Sequence, residues 1–216
     1  MRGATAVLYP GGMARLREAQ KEMTRQLLLD AGLNLFVSKG YTATTVDDIA
    51  STAGTTRVTF YAYFPSKADL MKALISERLN AALHRVPSTE HGTTESALVA
   101  VVEDGSREQL RTWLVSSARR WDSIRPYTKS AFEAAAVDPE IRTSLDTWLN
   151  EATADIKAGL DRADRFPAST RHFRSVLAIT ELDHVARHWT PGHWGVEQEE
   201  MLDVLAESWA GLIGRP

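Results

Sequence analysis

The chain has 216 residues, 44% of them hydrophobic, with a formal net charge of −3 and no cysteine. Disulfides and thiolate metal sites are therefore excluded, and the length leaves room for a second core beside a small N-terminal head of about 75 residues. No apolar run reaches the roughly 18 residues of a membrane span and nothing resembles a signal peptide, so the expectation is a soluble cytoplasmic protein. The charge is unevenly placed: residues 1–86 hold 11 Lys and Arg against 7 Asp and Glu, and residues 87–216 hold 14 against 21. Opposite signs in the two halves are expected if only the first meets phosphate.

In chain order, residues 1–12 contain Pro10, Gly11 and Gly12 and no helical period, which predicts a disordered arm. A minor-groove role for it would need basic residues, and it holds only Arg2, with Arg15 and Arg17 just beyond. A first helix is predicted from Ala14 to Lys39, ended by Gly40, with Leu28, Ala31, Leu35 and Phe36 on its apolar face. Val46, Ile49, Ala50 and Ala53 then recur at i, i+3, i+4 and i+7, the mark of a short amphipathic helix. Thr45 and Asp48 have capping-box spacing, Asp47 and Asp48 suit the positive end of the helix dipole, and Gly54 suits a left-handed C-terminal turn.

Thr56 can cap a second short helix, Arg57 to Tyr63, whose apolar positions are few. Its other face must therefore meet something besides a core. Thr56, Arg57 and Thr59 can donate to phosphates or base edges, and Arg is the commonest reader of guanine O6 and N7. Two short helices joined by a tight turn form a helix-turn-helix, which reads the major groove from the start of its second helix. Ser66 and Asp69 repeat the capping-box spacing, so a fourth helix should run from Lys67 to about Arg85, stopping before Pro87.

Beyond it, Val86 to Gly105 is rich in turn formers, and Ala97 to Val102 fits either a short helix or a linker. Further helices are predicted from Ser106 to Trp121, from Tyr127 to Ala136 after a break at Pro126, and from Pro139 to Asp164. A final pair is predicted from Ala168 to Trp189 and from Val196 to Ile213. The fold class is all-α: a three-helix head completed by linking helix 4 over residues 13–86, then a helical bundle over 87–216, about nine helices in all.

The segment Leu28–Leu74 resembles the N-terminal domain of the TetR family of bacterial transcriptional regulators. The resemblance rests on Leu28, Ala31, Leu35, Phe36, Gly40, Tyr41, Thr44, Val46, Ile49, Ala50, Ala53, Gly54, Thr59, Tyr61, Phe64, Ser66, Lys67 and Leu70. Two positions depart from it: Gly32 stands mid-helix where the family usually has alanine, and Val58 where many members carry a small residue. Resemblance and side-chain chemistry together assign Thr56, Arg57, Val58 and Thr59 to base or groove contact, and Thr44, Tyr61, Tyr63 and Lys67 to phosphate contact. The implied partner is a double-stranded, palindromic DNA operator bound by a homodimer.

The resemblance also implies a small-molecule effector, apolar or aromatic, bound in the second domain and sensed through helix 4. Trp113, Ser117, Trp121, Tyr127, Phe132, Trp148 and Phe173 could line its pocket. The last two helices are apolar on more than one side, and in the family they form the dimer interface; Leu182, Val185, Trp189, Met201, Leu205, Trp209 and Leu212 are the residues expected there. No catalytic residue, cofactor or metal is expected. The alternatives are a constitutive DNA binder without effector, and a metal-dependent enzyme using His184 and His188, one turn apart, with Glu181 and His193 nearby.

Overall fold

A computed structural model describes residues 10–88, 92–192 and 194–215. The chain divides into two compact units, Met1–Leu70 and Met71–Pro216. The division falls well before the expected boundary at 86/87, because Leu79 at the end of predicted helix 4 packs with Leu98, Val102 and Leu110 in the second core. Among the described residues no helix is long and apolar enough to cross a membrane.

The first unit is built on α1 (Pro10–Lys39), α2 (Val46–Thr52) and α3 (Arg57–Tyr63). Helix α1 starts four residues earlier than predicted, taking in Gly11 and Gly12; Pro10 occupies its first position, where a missing N–H costs nothing. The expected arm is thus shortened, and residues 1–9 lie outside the described residues. Leu28, Leu29, Phe36, Ile49, Phe60 and Leu70 are almost fully buried in this unit and form its core. Gly32 has a packing role: a Cβ there would stand 2.6 Å from Leu70 Cδ2.

The local signals operate as their chemistry requires. Thr45 Oγ1 accepts from Asp48 N, and the Asp48 carboxylate accepts from Thr45 N at 2.9 Å, closing the capping box. Gly54 takes φ 68° in the turn between α2 and α3, a conformation that strains any residue with a Cβ. Thr56 caps α3 by accepting from Thr59 N.

The division between units falls within α4 (Lys67–Ala73), which continues as a π-helical turn, Leu74–Leu79, and a short α5 (Asn80–Ala82). One uninterrupted helix was predicted here. The π turn lets Leu74, Ile75 and Leu79 all be buried, and Asn80 Nδ2 donates to Ser76 O at 2.9 Å. A small antiparallel pair that the sequence did not suggest joins β1 (Val86–Pro87) to β2 (Thr93–Thr94).

The rest of the second unit is α6 (Ser96–Asp104), α7 (Arg107–Ala118), α8 (Trp121–Ala135), α9 (Pro139–Arg162), α10 (Ala168–His188) and α11 (Gln198–Ile213). Helix α6 decides the Ala97–Val102 segment in favour of a helix: Leu98, Val99 and Val102 are buried on one face and Gly105 closes it in the left-handed conformation. Helix α8 begins at Trp121 and carries Pro126 inside it, where a break was predicted. Pro126 removes one backbone donor, while Trp121 and Ile124 before it are buried in the core, and that burial outweighs a single lost hydrogen bond.

Arg85 and Asp155 form a buried ion pair at 3.0 Å, with side-chain exposures of 2% and 0%. Arg85 also donates to Thr93 O at 2.8 Å, and Asp155 accepts from Thr94 Oγ1 at 2.6 Å and from Glu95 N at 3.0 Å. The polar segment between α5 and α6 is fastened to α9 by these bonds.

Candidate nucleic-acid interface

Helix α3 buries Phe60 and presents its N-terminal residues to solvent. Val58 is the most exposed large apolar side chain described, at 82%, and a branched aliphatic group in that position suits contact with a thymine methyl. Thr56 and Thr59 share a hydroxyl hydrogen bond of 3.0 Å. Arg57 reaches back to α2, where Nη1 donates to Asp47 Oδ2 at 3.0 Å, and Nη2 donates to the Tyr61 hydroxyl at 3.4 Å. The Tyr61 hydroxyl and, after it, the charge of Asp47 push the guanidinium pKa upward, so Arg57 is a permanent cation.

Among the residues assigned to phosphate, Tyr61 is exposed and Tyr63 partly so. Thr44 is different: it is 1% exposed and its hydroxyl donates inward to Gly40 O at 2.8 Å. Lys67 also differs from expectation. Its ammonium donates to Tyr41 O at 2.6 Å and Thr44 O at 2.7 Å and stands 4.2 Å from the centre of the Tyr41 ring. A lysine at a helix start needs negative partners, and the carbonyls after α1 supply them. Thr44 and Lys67 therefore brace the head from within.

In the second unit, Trp113, Ser117, Trp121 and Trp148 converge on one cavity of about 80 Å³, together with Leu98, Thr128, Leu182 and Ala186. Its polar rim is made of pairs: Arg85 with Asp155, Asp183 with Arg187 at 2.7 Å, and Glu95, which accepts from Trp113 Nε1 at 3.3 Å. Burial pushes the Glu95 carboxyl up, opposed first by the charge of Arg120. Three residues assigned to this pocket stand elsewhere. Phe132 lies under the Arg187 guanidinium at 3.8 Å and lines a separate groove, and Tyr127 packs against the core beside the cavity. Phe173 is 63% exposed. Sequence reasoning missed the charged rim: the Asp183–Arg187 pair has i,i+4 spacing on α10, but Arg85 meets Asp155 of α9, and Glu95 meets Trp113 of α7, only through packing, which leaves no spacing signal.

The residues assigned to a dimer interface also divide. Trp189 and Trp209 are 4% and 0% exposed, and Trp209 stacks on Trp113 at 5.6 Å; both belong to the unit's own core. Leu182 turns to the cavity and Leu212 packs on the core. Val185, Met201 and Leu205 line a groove of about 630 Å³ between α10 and α11, with Met201 and Leu205 also buried in the unit's core. The outward apolar residues are Leu177 and Val204, exposed by 37% and 64% and assigned to no site, and Phe173, assigned to the pocket and exposed by 63%.

The His184 and His188 rings lie 4.4 Å apart between centres, tilted by 31°, and His188 Nδ1 pairs with His184 O at 2.8 Å. His193 lies outside the described residues; among those described no group of three His, Cys, Asp or Glu is placed to hold a metal.

Comparison with known proteins places this geometry. Residues 28–74 match the family model for bacterial regulatory proteins of the tetR family. The chain is 41% identical over 66 residues to the HTH-type transcriptional regulator SrpR of Pseudomonas putida, covering 31% of each chain. It is 34% identical over 91 residues to the HTH-type transcriptional repressor LfrR of Mycolicibacterium smegmatis, covering 41% of this chain and 47% of that one. These matches span only a third to a half of the relatives' length. A longer match, 28% identical over 219 residues, covers 97% of this chain and 95% of the HTH-type transcriptional regulator EthR of Mycobacterium tuberculosis. Among solved structures, the fatty acid degradation regulator FadR from Bacillus halodurans shares the fold with a TM-score of 0.61 at 17% identity, covering 88% of this chain and 97% of that one. A TetR-like transcriptional regulator from Rhodococcus sp. RHA1 does so with a TM-score of 0.57 at 21% identity, covering 89% and 97%.

Proposed function

The chain belongs to the TetR family of bacterial regulatory proteins, and from that premise we propose that it is a DNA-binding transcriptional regulator, a homodimeric repressor released from its operator by a small apolar or aromatic molecule. The observation that carries the reading is the exposed start of α3, where Arg57 and Val58 face solvent beside the capped turn from α2. Residues 13–70, with α4, form the DNA-binding part, and the remainder binds effector and partner.

Dimerisation is supported by the outward stripe of Phe173 and Leu177 on α10 and Val204 on α11, beside the apolar groove between these helices. One short reading helix touches few bases, and a dimer sets two of them on half-sites about 34 to 36 Å apart or a multiple of that. The three-tryptophan cavity is the effector site. At about 80 Å³ it is smaller than the roughly 300 to 1,000 Å³ of drug-sized sites, so a ligand must widen it. Widening that displaces α4 changes the spacing of the two reading helices. A ligand that prefers the released state by about 1 to 3 kcal/mol lowers operator affinity about 5- to 150-fold.

The test is a titration of the purified protein against DNA flanking its own gene, over a range of salt, with a panel of apolar, aromatic and cationic compounds. Specific binding relieved by one compound supports the reading. Binding that is sequence-indifferent and governed by salt alone overturns it.

A further inference from the structure

The Arg57 guanidinium is held from two elements: by Asp47 of α2 at 3.0 Å, and by Tyr61, one turn along α3, whose hydroxyl is 3.4 Å away and whose ring centre is 5.5 Å away. Asp47 and Arg57 have side-chain exposures of 65% and 59%, so their pairing adds little to stability. Nor does Asp47 cap its helix; Thr45 and Asp48 do that. A carboxylate standing exposed at the front of a DNA-reading head also opposes phosphate. Asp48 stands in the same first turn and already serves the helix dipole, so that role alone does not account for Asp47.

We propose that Asp47 is a specificity-determining residue that keeps Arg57 a reader of guanine and keeps it from becoming a phosphate clamp. An unrestrained arginine near DNA folds onto the nearest phosphate, because that contact tolerates many geometries and carries no sequence information. Asp47 repels phosphate and takes one of the five guanidinium N–H groups, and Tyr61 takes a second. The three that remain include the pairs needed for a bidentate contact with O6 and N7. Tyr61 keeps its own hydroxyl proton for a phosphate, so one side chain can link backbone register to the aim of Arg57. The proposal rests on the reading of α3 as the helix that enters the major groove.

The test is selection of bound sequences from a randomised duplex pool by the full-length wild type, Arg57→Ala and Asp47→Ala, with affinity for a random duplex measured alongside. Arg57→Ala identifies the base pair that Arg57 reads, as the position where guanine preference disappears. Asp47→Ala is expected to lose preference at that same base pair by about tenfold, within the range of one bidentate contact, while its affinity for random duplex rises. Retained preference at that position in Asp47→Ala overturns the inference and leaves the DNA-reading head intact. A uniform loss at all positions without a rise in random-duplex affinity makes Asp47 a structural residue and overturns it as well. If the wild type enriches no sequence, the reading of α3 itself fails and the inference with it.

Discussion

The indole Nε1 of Trp148 donates to Asn80 Oδ1 at 2.8 Å, across 68 residues of sequence. Trp148 lines the cavity, and the other end of the Asn80 amide holds Ser76 O inside the π turn that continues α4. A single buried amide therefore joins the cavity wall to the backbone of that turn. Trp148→Phe keeps an aromatic wall and leaves Asn80 Oδ1 without its donor. The expected cost is about 1 to 3 kcal/mol, read by denaturant unfolding, and an unchanged midpoint would show that the bond does not anchor the turn.

Asp155 is held by Arg85, Thr94 Oγ1 and Glu95 N and has no access to water. Asp155→Ala leaves Arg85 as a buried charge without its counter-ion, which typically costs about 3 to 5 kcal/mol. The expected result is a chain whose second unit unfolds at markedly lower denaturant. Replacing both residues by apolar ones of similar size should recover part of the loss.

The Asp48 carboxyl is held down to about 2, first by its hydrogen bond from Lys39 and then by Thr45 N and Oγ1. A carboxyl depressed in the folded state stabilises above its unfolded pKa of about 3.9 and loses that effect as pH falls through the folded value. Asp48→Asn should therefore melt below the wild type at neutral pH. The gap is expected to narrow from about pH 4 and close near pH 2, as measured by circular dichroism.

Gly32→Ala sets two effects against each other. Alanine gains up to about 1 kcal/mol of helix propensity, but its methyl would meet Leu70 Cδ2 at 2.6 Å, and Leu70 is 0% exposed, so its methyl groups must shift within a packed interior. Overpacking costs about 1 to 3 kcal/mol. The expected outcome is a net loss of thermal stability, and a gain would mean that Leu70 changes rotamer freely.

Val204→Asp places a charge in the middle of the outward face of α11, at a side chain 64% exposed in the single chain. The fold should survive and association should not. For the proposed dimer, sedimentation is expected to shift from dimer to monomer, with the helical signal retained.

How far the sequence could be read depended on how far apart the interacting groups lie. The Thr45–Asp48 box, the Thr56 cap and the Gly54 turn each need only neighbours within three or four residues, and all were legible. Apolar periodicity likewise marked the long helices, since α9, α10 and α11 begin and end within about two residues of their predicted bounds. Period alone did not choose between the two apolar sides of the last helices. Trp189 and Trp209 look like interface residues until Trp113, 96 residues before Trp209, takes one of them as a stacking partner, and the outer face falls to Phe173 and Val204.

The sequence by itself thus determined the all-α class, the helix-turn-helix and the residues at the start of α3, because propensity, capping and turn chemistry act locally. Only the tertiary structure decided that Lys67 spends its charge on Tyr41 O and Thr44 O, that Asp47 aims Arg57, and that Asn80 ties the π turn to Trp148. Each is a bond between groups brought together by packing. A polar side chain takes whichever partner that packing sets within about 3 Å, and linear spacing carries no record of that choice.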